Sequence, residues 1–359
     1  MNDRLALGML QATQLTRAGR VLEATAAIQR ALAQQPVAKT RAPERPRVIQ
    51  LPEGRAGQFI AGSYAHQQGT RPYKLYIPRG HIAGKALPLV VMLHGCTQNP
   101  DDFAAGTRMN AIAEEEQCFV LYPAQTRSAN RSQCWNWFKR AHQRRDRGEP
   151  AIIAGMTREI AKRYGIDEQK VYVAGLSAGG AMAAVMGAAY PDVYAAVGIH
   201  SGLPVGSAHD VQSALSVMRG APPASTPGAA AGRMVPAIVF HGDRDATVHP
   251  RNGAQVATQC ADRHDETLIV VVQRGQVPGG HAYTCSVHKD ATGRTVLEHW
   301  EVHGAGHAWC GGSAAGSYTD PNGPDAPSLK PPQGAAKKRR ASAKSAKKSA
   351  SSRARRRGR

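Results

Sequence analysis

The sequence predicts an α/β fold: a mostly parallel central sheet covered by helices on both faces. Three observations carry this. Short β-branched runs alternate with helix-forming runs over most of the chain. The run LPLVVML at 87–93 is almost wholly apolar, as a strand buried on both faces requires. The run VYVAG at 171–175 stops at a glycine, and good helix formers begin just after Ser177.

Taken in order, residues 5–33 read as two helices broken near Gly19, with an amphipathic hairpin pattern. A Pro-rich linker at 36–56 separates this 1–35 segment from the rest. A β-rich start follows at 58–60 and 73–78, then the buried strand at 87–93. Residues 109–117 suit a helix and 118–122 a strand. A long polar loop, 123–148, contains Cys134, Trp135, Asn136, Trp137 and Phe138. Pro150 stands near the start of a helix that Gly165 ends. Further strands are expected at 195–200, 235–240, 267–273 and 295–302, with a helix and then a Pro/Ala/Gly-rich surface loop within 211–232. The domain expected to carry chemistry runs from 57 to 326, and a disordered tail from 327 to 359.

The net charge of +20 suggests a nucleic-acid binder until it is located. Residues 337–359 hold twelve Lys or Arg and no acid, which leaves +8 for the remainder. Such a tail could tether a polyanion such as DNA or RNA, blind to sequence because no aromatic side chain is interleaved. A merely solvated tail is the competing reading. No run approaches the 18 apolar residues of a membrane span, and 1–35 lacks the apolar core of a signal peptide, so the expectation is a cytoplasmic protein. The six cysteines show no metal-ligand spacing. Free thiols are the default reading; a Cys96–Cys134 pair is left open because both fall near the expected active-site face. The acidic groups Asp101–Asp102 and Glu114–Glu116 are read as solvated faces rather than metal sites.

The motif at the centre is Gly175-Leu176-Ser177-Ala178-Gly179, a G-x-S-x-G turn between strand and helix. A serine held at such a turn is exposed above the sheet, and the two glycines remove Cβ atoms that would collide across it. The Ala178 amide then points where an oxyanion would form. A second amide is expected from the turn after the buried strand, at Cys96 or Thr97. Downstream, Asp245 lies three residues after His241-Gly242, and His307 lies in the loop Gly304-Ala305-Gly306 that follows another strand. The order Ser177, Asp245, His307 is that of an α/β-hydrolase triad. In it the histidine takes the serine proton and the acid holds the histidine tautomer. Asp243 is the alternative acid and His303 the alternative base; His241 and His299 are read as structural. Cys96 as nucleophile is the competing reading for Ser177. Trp135 and Trp137 stand as a substrate wall or as core packing, with nothing to separate the two.

Together, the runs LHGCTQN at 93–99, CWNWF at 134–138, GLSAGG at 175–180, HSG at 200–202 and GAGHAW at 304–309 resemble the polyhydroxybutyrate depolymerase family of esterases. The resemblance covers about 58–326 and implies an α/β-hydrolase fold and serine-dependent hydrolysis of carboxylic esters. It implies no metal or organic cofactor, and it is what favours Asp245 as the acid. The expected substrate is poly(3-hydroxybutyrate) or its oligomers. The chain is also similar to feruloyl and acetyl carbohydrate esterases, which stand as the alternative. Because the family includes exported members, an extracellular location is the alternative to the cytoplasm. The family's terminal helix is precluded here by Pro327, Pro331 and Pro332.

Overall fold

The computed structural model describes residues 57–82, 84–222, 235–264 and 267–326. The expected hairpin, the linker and the basic tail lie outside the described residues, as does most of the loop after 220. A ten-stranded sheet dominates the described part, in the order β1-β2-β4-β3-β5-β6-β7-β10-β9-β8. Its strands are β1 (Gln58–His66), β2 (Gly69–Ile77), β3 (Leu89–Leu93), β4 (Phe119–Pro123), β5 (Val171–Leu176) and β6 (Ala196–His200), then β7 (Ala237–Gly242), β8 (Ile269–Gln276), β9 (Ala282–Lys289) and β10 (Thr295–Val302). The six central strands, β4 to β10 in that order, run parallel. Antiparallel pairs close both sides, β1 and β2 at one edge and β9 and β8 at the other.

Alternation along the strands sends side chains to the two faces of the sheet, where the buried residues form two main clusters and a third, small one around Phe240 and Val302. Leu75, Leu89, Val91, Leu93, Leu121 and Val173 face the larger cluster. It packs beneath α3 (Gly148–Tyr164), α4 (Ala178–Ala189) and α6 (Arg251–Ala261). Tyr76, Met92, Val120, Tyr122 and Leu176 face a smaller one under α1 (Pro100–Thr107) and α2 (Met109–Glu115). The remaining helix, α5 (Val211–Met218), starts in a capping box between Asp210 and Ser213. A cavity of about 450 Å³ lies along the smaller face, lined by Val90, Met92, Tyr172, Ala174 and Phe240, with Ala326 at its side.

Local chemistry explains the boundaries. Asn99 caps α1, its side chain accepting from the Asp101 and Asp102 amides at 3.0 Å each, with Pro100 at the first position. In α3, Glu149 sits in the first turn and Lys162 and Arg163 in the last, which suits the helix dipole. Gly165 ends it in the left-handed conformation (φ 64°). The helix α4, apolar on every side, is buried from Ala178 through Gly187, and this fixes the turn that precedes it.

The loop 123–148 is held by one buried carboxylate. Glu149 accepts from Gln125 Nε2 at 2.5 Å, from Asn136 Nδ2 at 2.6 Å and from the Asn136 amide at 2.7 Å, with Arg71 at 3.6 Å. Burial opposes its charge, but these donors and His142 together keep its pKa below the ordinary value. Among the described residues no helix is long and apolar enough to cross a membrane.

Candidate active site

Ser177 stands between β5 and α4 with φ 58° and ψ −119°, a backbone conformation that L-residues adopt only under constraint. Two close approaches supply the constraint. A Cβ on Gly175 would come within 2.6 Å of the Leu93 carbonyl oxygen, and one on Gly179 within 2.6 Å of the His94 carbonyl oxygen. The Ser177 amide donates to the His200 carbonyl at 2.9 Å, and its own carbonyl accepts from Ala181 at 2.9 Å. Ala178 opens α4, so its N–H belongs to the first turn and has no acceptor within the helix.

The turn after β3 passes directly beside the serine: the Cβ position of Gly95 lies 3.7 Å from Ser177 Cβ. Several bonds hold this turn. The Gly95 amide donates to Gln98 Oε1 at 2.9 Å, and Trp135 Nε1 donates to the His94 carbonyl at 3.1 Å. His94, fully buried, accepts from the Gln125 amide on Nε2 and donates from Nδ1 to the Gly95 carbonyl. Burial pushes its pKa down to about 4, although the Gly95 bond opposes this. The Thr97 amide donates to the Ser132 carbonyl at 2.7 Å. Of the two amides considered for an oxyanion, Thr97 is therefore committed elsewhere, and Cys96 is the one that remains.

Asp245 and His307 meet at 2.6 Å through Oδ2 and Nδ1. The carboxylate hangs in the loop after β7, fully buried, with Oδ1 accepting from the Thr247 and Val248 amides at 2.9 and 2.8 Å. His241, in β7, lies 3.4 Å from Oδ2 and donates to the Val248 carbonyl. Burial of Asp245 raises its pKa, but the bonds from His241 and His307 and the Val248 amide overcome this and hold it far below the usual carboxylate range. Donation from Nδ1 to an ionised carboxylate leaves the imidazole Nε2 with its lone pair free to accept a proton. Bonds between the two loops support the contact: the Arg244 amide donates to the Ala305 carbonyl at 3.0 Å and the Asp243 amide to the Val302 carbonyl at 3.1 Å.

The alternatives weighed on sequence form a separate group. Asp243 bonds His303 Nδ1 at 3.1 Å and the Gly304 amide at 2.7 Å, while His303 Nε2 meets Thr284 Oγ1 at 2.9 Å. His200 is also buried. It accepts from the Cys310 amide at 3.0 Å and faces Ser201 Oγ at 3.2 Å, and burial together with the nearby His241 and His307 pushes its pKa down to about 3.

Three expectations need correction. Cys96 and Cys134 are joined in a disulfide, so the free-thiol default fails for this pair, and Cys96 has no thiol to act as nucleophile. Cys118, Cys260, Cys285 and Cys310 carry buried thiols, and burial pushes them up to about 12. Trp135 has no exposed surface and Trp137 is 5% exposed, both within the larger core cluster. With so little surface exposed they offer no wall to a substrate, and the indole N–H of Trp135 instead donates to the His94 carbonyl. The acidic groups are drawn into separate partnerships, Asp101 with Lys74, Asp102 with Ser317 and Glu114 with Tyr76. Among the described residues no three His, Cys, Asp or Glu converge as metal ligands.

One residue at the site was not singled out on sequence. Tyr318, 47% exposed, sets its ring edge-on to His307 with centroids 6.4 Å apart, and its hydroxyl lies 3.4 Å from Thr97 Oγ1. Nothing local marks it, since the proximity spans 221 positions of sequence.

The chain is similar to known esterases in sequence and in fold. The poly(3-hydroxyalkanoate) depolymerase C of Paucimonas lemoignei is 34% identical over 257 residues, covering 67% of this chain and 59% of that protein. A probable acetylxylan esterase A of Aspergillus fumigatus is 30% identical over 220 residues, covering 57% of this chain and 58% of that protein. The chain thus spans under three fifths of the length of either relative. Among solved structures, an acetyl xylan esterase from Aspergillus awamori superposes with a TM-score of 0.58 at 21% identity, covering 69% of this chain and 94% of that one. This establishes the α/β-hydrolase fold. Residues 71–293, a stretch that includes Ser177 and Asp245 and stops short of His307, match the family described as Esterase PHB depolymerase, and the chain belongs to that family.

Proposed function

We propose that the chain is a carboxylic ester hydrolase acting through an acyl-enzyme on Ser177, with esters of hydroxyalkanoic acids as its substrates. The observation that carries this reading is the 2.6 Å contact of Asp245 with His307, two strand ends away from a serine in a strained turn. In the first step His307 Nε2 removes the Ser177 proton as Oγ adds to the ester carbonyl carbon. The oxyanion is stabilised by the amides of Ala178 and Cys96. His307 then passes its proton to the departing alcohol oxygen, leaving the acyl group on Ser177. Water, deprotonated by the same histidine, releases the acid and restores the serine. Asp245 keeps the Nδ1–H tautomer and stabilises the imidazolium.

The hydroxyalkanoate assignment rests on the depolymerase relative. The acetylxylan relative supports esters of plant polysaccharides as the second reading. The Cys96–Cys134 disulfide favours an oxidising compartment over the cytoplasm expected from the sequence.

The test is hydrolysis of p-nitrophenyl butyrate, a hydroxybutyrate oligomer, acetylated xylan and methyl ferulate by wild type and Ser177→Ala. Turnover of the oligomer, lowered by roughly 10⁴ to 10⁶ in the variant, is expected. Wild-type-like turnover by the variant overturns the mechanism, and cleavage of only the xylan or ferulate ester overturns the substrate.

A further inference from the structure

Tyr318 stands beside His307 and beside Thr97 in the turn that carries Cys96. Its φ of 52° is unusual for a bulky residue, and positive φ recurs at Ser177, Thr97 and Ser201 around the same site. Strain of this kind persists only where the surroundings enforce it. Here they do. Ser317, its neighbour, is bound to Asp102 through its amide at 2.8 Å and its hydroxyl at 2.6 Å. Gln98 Nε2 donates to the same Asp102 at 2.8 Å and to the Ser317 carbonyl at 3.1 Å, while Gln98 Oε1 accepts from Gly95. The Trp309 amide donates to the Tyr318 carbonyl at 2.7 Å. One relay therefore ties the turn beside Ser177 to the backbone of Tyr318. The Thr97 hydroxyl donates to the Cys96 carbonyl at 2.6 Å, so its oxygen can accept from the tyrosine hydroxyl.

The ring thus reaches from His307 to the turn that carries Cys96, and it stays half exposed. Three substituents leave the carbonyl carbon above Ser177. The oxygen points to the Ala178 and Cys96 amides, the alcohol oxygen points to His307, which must protonate it, and the acyl chain takes the direction left over. A side chain that bridges His307 and the Cys96 turn lies on the alcohol side. We propose, resting on the serine-hydrolase reading above, that Tyr318 is a specificity-determining residue. Its ring forms the wall against which the alcohol portion of the ester packs, and it selects substrates whose alcohol is itself a large group, such as a further hydroxyacyl unit of a chain.

The two half-reactions make this testable, because the alcohol has left before deacylation. Wild type, Tyr318→Ala and Tyr318→Phe are compared on two butyryl esters, one of methanol and one of methyl 3-hydroxybutyrate. The burst and steady phases with p-nitrophenyl butyrate report formation and hydrolysis of the shared butyryl-enzyme. In Tyr318→Ala, kcat/KM for the larger ester is expected to fall at least about tenfold, as for loss of an anchoring aromatic contact. The methyl ester and the deacylation rate should stay within about threefold of wild type on the same reasoning, and Tyr318→Phe should retain the selectivity. Equal losses on both esters together with slower deacylation would show that the ring only holds His307 in place, which overturns the proposal. Unchanged kcat/KM on both esters overturns it as well. Turnover insensitive to Ser177→Ala would remove the parent reading and this inference with it.

Discussion

Replacing Asp245 by Asn exposes the site's logic most sharply. Oδ1 of Asp245 accepts two backbone N–H groups, from Thr247 and Val248, and Oδ2 accepts His307 Nδ1–H. An asparagine has one oxygen to place. Turning its NH₂ toward Thr247 and Val248 would set donor against donor twice in a buried position, at about 1–3 kcal/mol for each unsatisfied group. The amide oxygen is therefore pinned on the backbone side, and the NH₂ faces His307. It then donates to Nδ1, which moves the imidazole proton to Nε2, where the serine proton should be received. The loss expected from a wrong tautomer is about 10⁴ in kcat, equivalent to roughly 5.5 kcal/mol of barrier. The two backbone bonds survive, but the folded chain's preference for an ionised carboxylate at this position is lost, so the thermal midpoint should also fall. The assay is kcat and KM on p-nitrophenyl butyrate with a parallel unfolding curve, and Asp243→Asn serves as control because Asp243 binds His303 instead. Activity of Asp245→Asn within about tenfold of wild type, or an equal loss in Asp243→Asn, would refute the tautomer argument.

Two further outcomes follow from burial and cross-linking. The Cys96–Cys134 bridge closes a loop of 38 positions, so its reduction should remove up to about 4 kcal/mol of stability on loop entropy. Denaturant midpoints and activity measured with and without a thiol reductant would show this, and an unchanged midpoint would count against it. His200 and His94 titrate at about 3 and about 4 in the folded chain against 6.5 for the ordinary side chain, so the unfolded chain takes up these protons first. Stability is complete above pH 6.5 and falls as the pH drops toward those values, by about 1.4 kcal/mol per pH unit for each histidine. Urea midpoints from pH 7 to pH 4 test this, and a flat profile would contradict it.

The residues that announce themselves in the sequence are those whose backbone needs are severe. Ser177 stands out because the turn tolerates only glycine at 175 and 179, and His307 because it follows a strand in a glycine-rich loop, whereas Asp245 is separated from its neighbour Asp243 only by the family resemblance. Elements with mixed exposure were harder to see. Strand β9, Ala282–Lys289, is half buried along most of its length and carries Cys285 and His288, so no alternation stands out. Helix α6 contains Gly253, pressed against His241, which breaks its helical signature. Helix α1 has an Asn99 cap and Pro100 but only eight residues, too few for a helical period to stand out. The disulfide, the burial of Trp135 and Trp137, and the place of Tyr318 depend on contacts between distant segments, which no local pattern encodes.

Left-handed backbone at Thr97, Ser177, Ser201 and Tyr318 also has a bearing on attempts to make the protein hardier. Glycine relaxes such a conformation locally but enlarges the freedom of the unfolded chain, so the net gain at any one of them is small. What would vanish is a hydroxyl or ring that holds a neighbour, such as Ser201 against His200 or Tyr318 against His307. Engineering for heat resistance therefore has its room elsewhere, on edge strand β8, where Ile269, Val270, Val271 and Val272 face solvent and invite unwanted pairing between copies. Charged replacements there would improve solution behaviour while leaving the four constrained positions untouched.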